Sequence, residues 1–284
     1  MTNKRIFEAL NGASSFLKEN GREEAVARIL LQHELGMSHA GLLASMRDEI
    51  SEDMYERFWN KILKHAAGTP VQHLTGVEEF YGRTFHVNEN VLIPRPETEE
   101  LIEETLQLIK RYITSPTPSI ADIGTGSGII AATMKCEMPK AIVTATDISP
   151  DALKVAKENT QRLGADIAFK QGDLAEPLYD QTWDVILSNP PYIAHSEAPE
   201  LADSVRDFEP HLALFAENEG LALYEKLAQQ LPDLLKKPGI IGLEIGHTQG
   251  RAVEAMLKAA FPEAKVYVKK DINNNDRMVF CINA

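Results

Sequence analysis

One short segment restricts the fold more than any other. Ser119-Ile120-Ala121-Asp122-Ile123-Gly124-Thr125-Gly126-Ser127-Gly128 runs from an apolar strand through three closely spaced glycines into a helix. Glycine adopts positive φ without penalty and lets a ligand approach the backbone. The helix start that follows leaves N–H groups without partners inside the helix. A strand–turn–helix of this kind belongs to a mostly parallel sheet, and the rest of 94–284 alternates accordingly. The apolar spacing predicts helices over 97–111, 128–136, 151–163, 221–235 and 252–260, and strands over 120–123, 141–146, 167–170, 183–188, 240–245, 265–268 and 278–282. This is the pattern of an α/β doubly wound sheet. In such sheets ligands lie outside the carboxyl ends of the strands.

The preceding residues read differently. Over 1–67 the pattern is helical: Val26, Ile29, Leu30 and His33 fall near one face, and Ser51 opens a helix running through Met54, Phe58, Ile62 and Leu63. Gly68-Thr69-Pro70 is a break, and Phe80-Tyr81-Gly82-Arg83-Thr84-Phe85-His86-Val87 reads as a hairpin. We therefore expect a small N-terminal helical domain over 1–67, a β-hairpin connector over 68–93, and the α/β domain over 94–284. A chain of 284 residues is long enough for two such domains with cores of their own.

Charge narrows the partners. There are 29 basic and 42 acidic residues, net −13, and 12 of the acidic residues but only 10 of the basic ones fall within 1–85, so the α/β half carries most of the excess. That excludes a generic polyanion-binding surface, because non-specific nucleic-acid affinity comes from Lys and Arg paired with phosphates. The two cysteines, Cys136 and Cys281, make neither a disulfide scaffold nor a four-ligand zinc site, and are expected to be buried and reduced. The amino terminus lacks the apolar stretch of a signal peptide, and no run approaches the length of a membrane span, so a cytoplasmic protein is expected.

The glycine turn points to a nucleotide. Asp147 lies 23 residues beyond Gly124, at the end of the next strand, where an acidic side chain commonly binds ribose hydroxyls. A dinucleotide fold wants its third glycine one place later, where this chain has Ile129. Gly124-Thr125-Gly126-Ser127-Gly128 behind Asp122 instead resembles the S-adenosylmethionine site of Rossmann-like methyltransferases. That ligand has no pyrophosphate but carries a cationic amino group, which Asp122 can meet directly or through water. Asp173 follows the third strand, in the region of the adenine amino group, and Leu174 is placed to pack on the ring.

Trp183 to Ser188 leads directly into Asn189-Pro190-Pro191-Tyr192. Consecutive prolines stiffen this loop and remove two donors, and the first pushes Asn189 toward an extended conformation. The loop then offers an amide side chain, a free carbonyl at Pro190 and an aromatic face at Tyr192. That set suits a planar NH₂ group: Asn189 Oδ1 and the Pro190 carbonyl each accept one N–H, and Tyr192 packs on the flat face. Positioning and electrostatics supply the catalysis.

Asn189 to Tyr192 resembles the motif of the amino-methyltransferases, which act on adenine amino groups of DNA and RNA or on protein glutamines. Further segments look like those of the bacterial peptide chain release factor glutamine methyltransferases: Val91-Leu92-Ile93-Pro94-Arg95-Pro96-Glu97-Thr98-Glu99, Pro70 to Gly76, Phe80-Tyr81-Gly82, and Val205-Arg206-Asp207-Phe208-Glu209-Pro210. The resemblance covers essentially the full length. It implies a Rossmann-like class I methyltransferase domain and transfer of a methyl group from S-adenosylmethionine, which leaves as S-adenosylhomocysteine. The acceptor it implies is the side-chain amide of the glutamine in the Gly-Gly-Gln motif of class 1 release factors, which serves translation termination. Asn189, Pro190, Pro191 and Tyr192 match the glutamine-binding motif, and Gly124 to Gly128 with Asp147 match the cofactor site. Phe208 stands where many relatives carry Tyr. Arg95 either orders the Asn189 loop, binds the partner, or has no role. No direct nucleic-acid or membrane contact is implied.

An adenine and a primary amide share the same NH₂ geometry, so the motif alone leaves an adenine-amino methyltransferase as the alternative. That reading requires a base-flipping pocket and a positive track, which the acidic catalytic half disfavours. A non-catalytic cofactor-binding module would have no need of Asn189 or Tyr192. His33, His39, His65, His73 and His86 have no metal-ligand spacing, Ser127 is not in a nucleophile elbow, and 271–276 lacks the glycine and terminal Glu of a calcium loop; it reads as a hairpin turn.

Overall fold

The computed structural model describes residues 4–284; the first three residues of the segment expected to be helical over 1–67 lie outside them. The described chain forms two compact units, one of the residues up to 77 with 202–208 and one of 78–201 with 209–284.

The smaller unit contains β1 (Lys4–Arg5), α1 (Ile6–Glu19), α2 (Ala25–Leu35), α3 (His39–Ala44), β2 (Glu49–Ile50), α4 (Glu52–Ala66) and α5 (Val71–Thr75). Its core follows the helical period: Ile6, Ala9, Ala13 and Leu17 of α1 meet Phe58 and Ile62 of α4. Ser51 caps α4 by accepting the Met54 N–H at 3.3 Å. On α2 the buried face is Val26, Ala27, Leu30 and Leu31, whereas Ile29 and His33 are exposed. Two stripes compete on this helix, and the one with four apolar residues wins over the one that includes a histidine. Leu63, also expected on the apolar face, is exposed.

The larger unit takes up β3 (Val77–Phe80), which begins on the last residue of the smaller unit. It continues through β4 (Arg83–His86), α6 (Glu97–Tyr112), β5 (Ser119–Ile123), α7 (Ile129–Glu137), β6 (Ile142–Asp147), α8 (Pro150–Leu163), β7 (Ile167–Gln171) and β8 (Trp183–Ser188). After α9 (Asp203–Arg206), which clusters with the smaller unit, come α10 (Ala222–Gln230), β9 (Leu235–Glu244), α11 (Gly250–Ala260), β10 (Lys265–Lys270) and β11 (Asp276–Asn283). Within the smaller unit, Arg22 holds the 202–208 segment through a bidentate pair with Asp203 at 2.9 and 2.6 Å. The guanidinium pulls the Asp203 carboxyl down to about 2. Gly68 has φ +111°, and a Cβ there would come within 2.9 Å of the Phe208 ring.

The sheet order is β10-β11-β9-β8-β5-β6-β7. β9, β8, β5, β6 and β7 run parallel, and β11 runs antiparallel to both of its neighbours. The chain winds outward from β5 to β7 and then returns to β8 on the other side of β5, so the order reverses between β5 and β8. The expected α/β doubly wound class is thus the observed one. Most boundaries fall within two residues of the sequence reading, and two differ by five. The helix expected over 221–235 stops at Gln230, because Pro232 has no N–H to give and its ring opposes the carbonyl four residues back. The next strand starts at Leu235 rather than 240, drawn out by pairing with Trp183.

Candidate active site

The strand reversal brings together two loops that are 65 residues apart in sequence. Ile123 at the end of β5 pairs with Ser188 at the end of β8, and Ser188 Oγ donates to the Ile123 carbonyl at 2.7 Å. The glycine turn and the Asn189 loop therefore emerge side by side from the carboxyl edge of the sheet.

Gly124, Gly126 and Gly128 all have positive φ, at +71°, +54° and +83°. A Cβ on Gly124 or Gly126 would meet nothing within 4 Å, so both backbones face open space, whereas one on Gly128 would meet Ala156 at 3.0 Å. The first two glycines thus leave room above the turn, and the third lets α7 pack against α8. Two carboxylates hold the turn. Asp147 accepts from Gly126 N–H and Ser149 N–H, both at 2.9 Å. Asp122 Oδ2 accepts from the Thr125 hydroxyl at 2.5 Å and from Ala131 N–H at 3.1 Å. Burial raises the Asp147 carboxyl above its ordinary range and pushes Asp122 up to about 7.

A cavity opens over this turn, built wholly from the larger unit. Of the residues singled out in the sequence, Gly124 to Ser127, Asp147, Asp173, Leu174, Asn189 and Pro191 line it. Asp122 does not: it is fully buried beneath the turn, its Oδ1 has no hydrogen-bond partner, and its Oδ2 is engaged by the Thr125 hydroxyl and the Ala131 N–H of α7. The expectation for Asp122 is a contact made directly or through water; the side chain itself is not part of the cavity wall. Gly128 serves packing rather than lining. Pro190 is buried, and Tyr192 is half-buried and not among the lining residues, its phenol pushed up to about 12 by burial. Asp173 faces Lys226 at 3.6 Å. Leu174 holds φ +47° while its carbonyl accepts from the Thr146 hydroxyl at 3.1 Å.

Arg95 also lines the cavity and is not a bystander. Its guanidinium donates at 2.6 Å to Glu209, whose other oxygen accepts the Ile93 N–H at 3.0 Å. Glu209 is buried, so this pair ties the 91–95 segment over the cavity to the 209–213 segment.

Three positioning groups escaped the sequence reading. Gln249 donates to the Tyr192 carbonyl at 2.8 Å and so fixes the end of the Asn189 loop. Thr98, in the first turn of α6, accepts from Asn189 Nδ2 at 3.3 Å and donates to Glu244 Oε2 at 2.6 Å. Glu244 sits at the end of β9 inside Ile240-Ile241-Gly242-Leu243-Glu244-Ile245. A lone carboxylate closing an apolar strand was the available signal, since a buried charge needs a partner.

Both cysteines are free; Cys281 is buried and Cys136 half-buried, less enclosed than expected. Among the described residues no group of three His, Cys, Asp or Glu side chains is placed to hold a metal. No helix there is long and apolar enough to cross a membrane.

A cavity over a glycine turn, walled by acidic side chains and flanked by an amide held in place from behind, is suited to group transfer between a nucleoside-type donor and a polar acceptor. Comparison with known proteins agrees. Residues 100–206 match the methyltransferase small domain and residues 8–76 match the PrmC N-terminal domain. The chain is 46% identical to the release factor glutamine methyltransferase of Bacillus cereus, over 97% of its own length and 98% of that protein. It is 44% identical to that of Bacillus subtilis, over 97% of each. It is also similar in fold to a methyltransferase of Pyrococcus furiosus, with a TM-score of 0.53 and 15% identity over 79% of this chain and 98% of the other.

Proposed function

Because the chain belongs to the release factor glutamine methyltransferases, we propose that the cavity over the glycine turn is where it does its work. It is a methyltransferase, and it methylates a glutamine of release factors. The acceptor is the side-chain amide nitrogen of the glutamine in the Gly-Gly-Gln motif of class 1 release factors, and the donor is S-adenosylmethionine.

The observation that carries this reading is the adjacency of the glycine turn and the Asn189 loop across the β5–β8 reversal. The open space above Gly124 and Gly126 fits a ligand lying directly on the backbone. Asp147 accepts from Gly126 of the turn on one oxygen and from Ser149 on the other, and a carboxylate oxygen has a second lone pair left for a ribose hydroxyl. Asp173 and Leu174 bound the adenine region, and Thr125 and Ser127 the amino-acid tail. Asp122 acts one step removed: by holding Thr125 and Ala131 it shapes the turn and adds negative charge beneath a cationic ligand. When bound, S-adenosylmethionine supplies the methyl group on a cationic sulfur.

The chain's own residues do the rest by positioning. Asn189 Oδ1 and the Pro190 carbonyl accept the two N–H groups of the substrate amide, which aims its nitrogen and favours the pyramidal geometry needed for attack. Both acceptors also stabilise the positive charge that grows on nitrogen during transfer. Pro191 keeps the loop rigid, and Tyr192 backs it. No strong base is required, because the nitrogen's proton becomes acidic once the methyl has arrived. The N-terminal helical domain over 1–67 holds the release factor beyond the glutamine loop, 68–93 connects it, and 94–284 carries the reaction, in the cytoplasm.

The test is methyl transfer from labelled S-adenosylmethionine to a class 1 release factor, to the same factor with Gln→Ala at Gly-Gly-Gln, and to an unmethylated DNA duplex. Label is expected in the intact factor alone. Label in the Gln→Ala factor moves the acceptor elsewhere, and label in DNA overturns the substrate.

A further inference from the structure

We propose that Thr98 and Glu244 are positioning residues that decide which end of the Asn189 amide faces the cavity. The inference rests on the reading of Asn189 as an acceptor for the substrate amide. The oxygen and nitrogen of a carboxamide are nearly equal in size, so packing alone hardly distinguishes the two orientations; hydrogen-bond direction does. Only one orientation is useful, since Nδ2 turned outward would set a donor against the donors of the substrate.

The direction is fixed by a chain of three groups from three parts of the fold. Glu244 closes β9, Thr98 opens α6, and Asn189 follows β8. Thr98 is fully buried and has a single hydroxyl proton. An ionised Glu244 can only accept, so that proton goes to its Oε2 at 2.6 Å. Thr98 Oγ1 is then left with lone pairs toward Asn189, and only the NH₂ end can meet them, at 3.3 Å. Oδ1 is turned outward as a result. A neutral Glu244 removes this constraint. Its own proton can pass to Thr98, the threonine proton becomes available to Asn189 Oδ1, and both amide orientations are permitted.

The groups that face Glu244 are Arg277 on β11, Glu97 on α6, Asn189 and Tyr192 on the loop, and Tyr224 on α10, whose hydroxyl donates to the Glu244 carbonyl at 2.7 Å. Thr98, Arg277 and Asn189 favour the charged carboxylate; burial and Glu97 oppose it. Burial dominates and pushes the carboxyl up to about 7. The switch between one permitted orientation and two therefore falls near neutral pH, and turnover should decline as the pH drops below it.

The experiment measures turnover at saturating S-adenosylmethionine and release factor from about pH 5.5 to about pH 8.5, with cofactor affinity measured alongside. Saturation separates this effect from titration of Asp122, which lies under the cofactor turn. Thr98→Val is expected to lower turnover about tenfold, the scale of one lost hydrogen bond in a buried network, with cofactor affinity within twofold. Thr98→Ser is expected to recover most of that loss. Glu244→Gln cannot ionise and is expected to lose the acid limb. Two further results bear on the proposal differently. An unchanged acid limb in Glu244→Gln together with full turnover in Thr98→Val, while Asn189→Ala is inactive, overturns the positioning role and leaves the Asn189 reading standing. Full turnover in Asn189→Ala overturns that reading itself, and the proposal with it.

Discussion

The two loops that meet at the carboxyl edge of the sheet are built in opposite ways. After β5 the chain turns on glycines, and two carboxylates hold the turn: Asp122 accepts the Thr125 hydroxyl and the Ala131 N–H of the following helix, and Asp147, at the end of the neighbouring strand, accepts the Gly126 N–H. After β8 the chain runs through two prolines that have no N–H to offer. That loop is held instead by side chains from distant elements: Thr98 at one end and Gln249 at the other. The first loop is flexible by composition and made specific by charge. The second is rigid by composition and made specific by what grips it. In the function proposed above, the first cradles the cofactor and the second aims the amide.

The contrast can be broken most directly at Asn189. Asn189→Ala removes one acceptor from the rigid loop and should lower turnover about 10²–10³-fold, the scale of a lost preorganised polar contact, while cofactor affinity measured by calorimetry stays near wild type. A parallel loss of affinity would show that the two loops are not separable.

On the glycine side the sharpest break is structural. Gly128→Ala combines φ +83° with a Cβ only 3.0 Å from Ala156. It should destabilise the protein by about 2 kcal/mol, strain and overpacking together. Gly124→Ala, at φ +71° with nothing within 4 Å, carries backbone strain alone and should lower stability by only about 1 kcal/mol. Chemical denaturation of both variants measures the difference, and equal losses would remove the distinction between a packing glycine and a lining glycine.

Asp147→Ala sharpens the comparison from the cofactor side. It should weaken S-adenosylmethionine binding about tenfold, the worth of one hydrogen bond to a charged group, with turnover at saturation largely kept. Asp173→Ala is the mildest of the set. Its exposed pair with Lys226 is worth little, so affinity should fall by less than about threefold; a larger drop would make Asp173 a principal contact to the base.

Much of this was legible in the residues themselves. The positive-φ positions, the stiff Asn189-Pro190-Pro191-Tyr192 corner and the strand–helix alternation of a doubly wound sheet are all written in neighbouring residues or in apolar periodicity. Each depends on the conformational limits of glycine, proline and alternating burial, which act over a few positions. The helix boundary at Gln230 was legible too, had Pro232 been given its full weight.

What the sequence determined, then, was that this chain folds as a doubly wound sheet and which two loops are the candidates for its site. What only the tertiary structure decided was what holds those loops. Asp122 proved to be a buried brace and not a wall of the cavity, because the side chain of a strand points to one face of the sheet and the turn closes over it. Arg95 acquired its partner Glu209 from 114 residues away. Thr98 touches both Asn189 and Glu244, and it lies 146 residues from Glu244 in sequence. Such contacts have no local signature, because a hydrogen bond is specified by proximity and direction in space, and only the packing of β9, α6 and β8 into one sheet-and-helix layer supplies both.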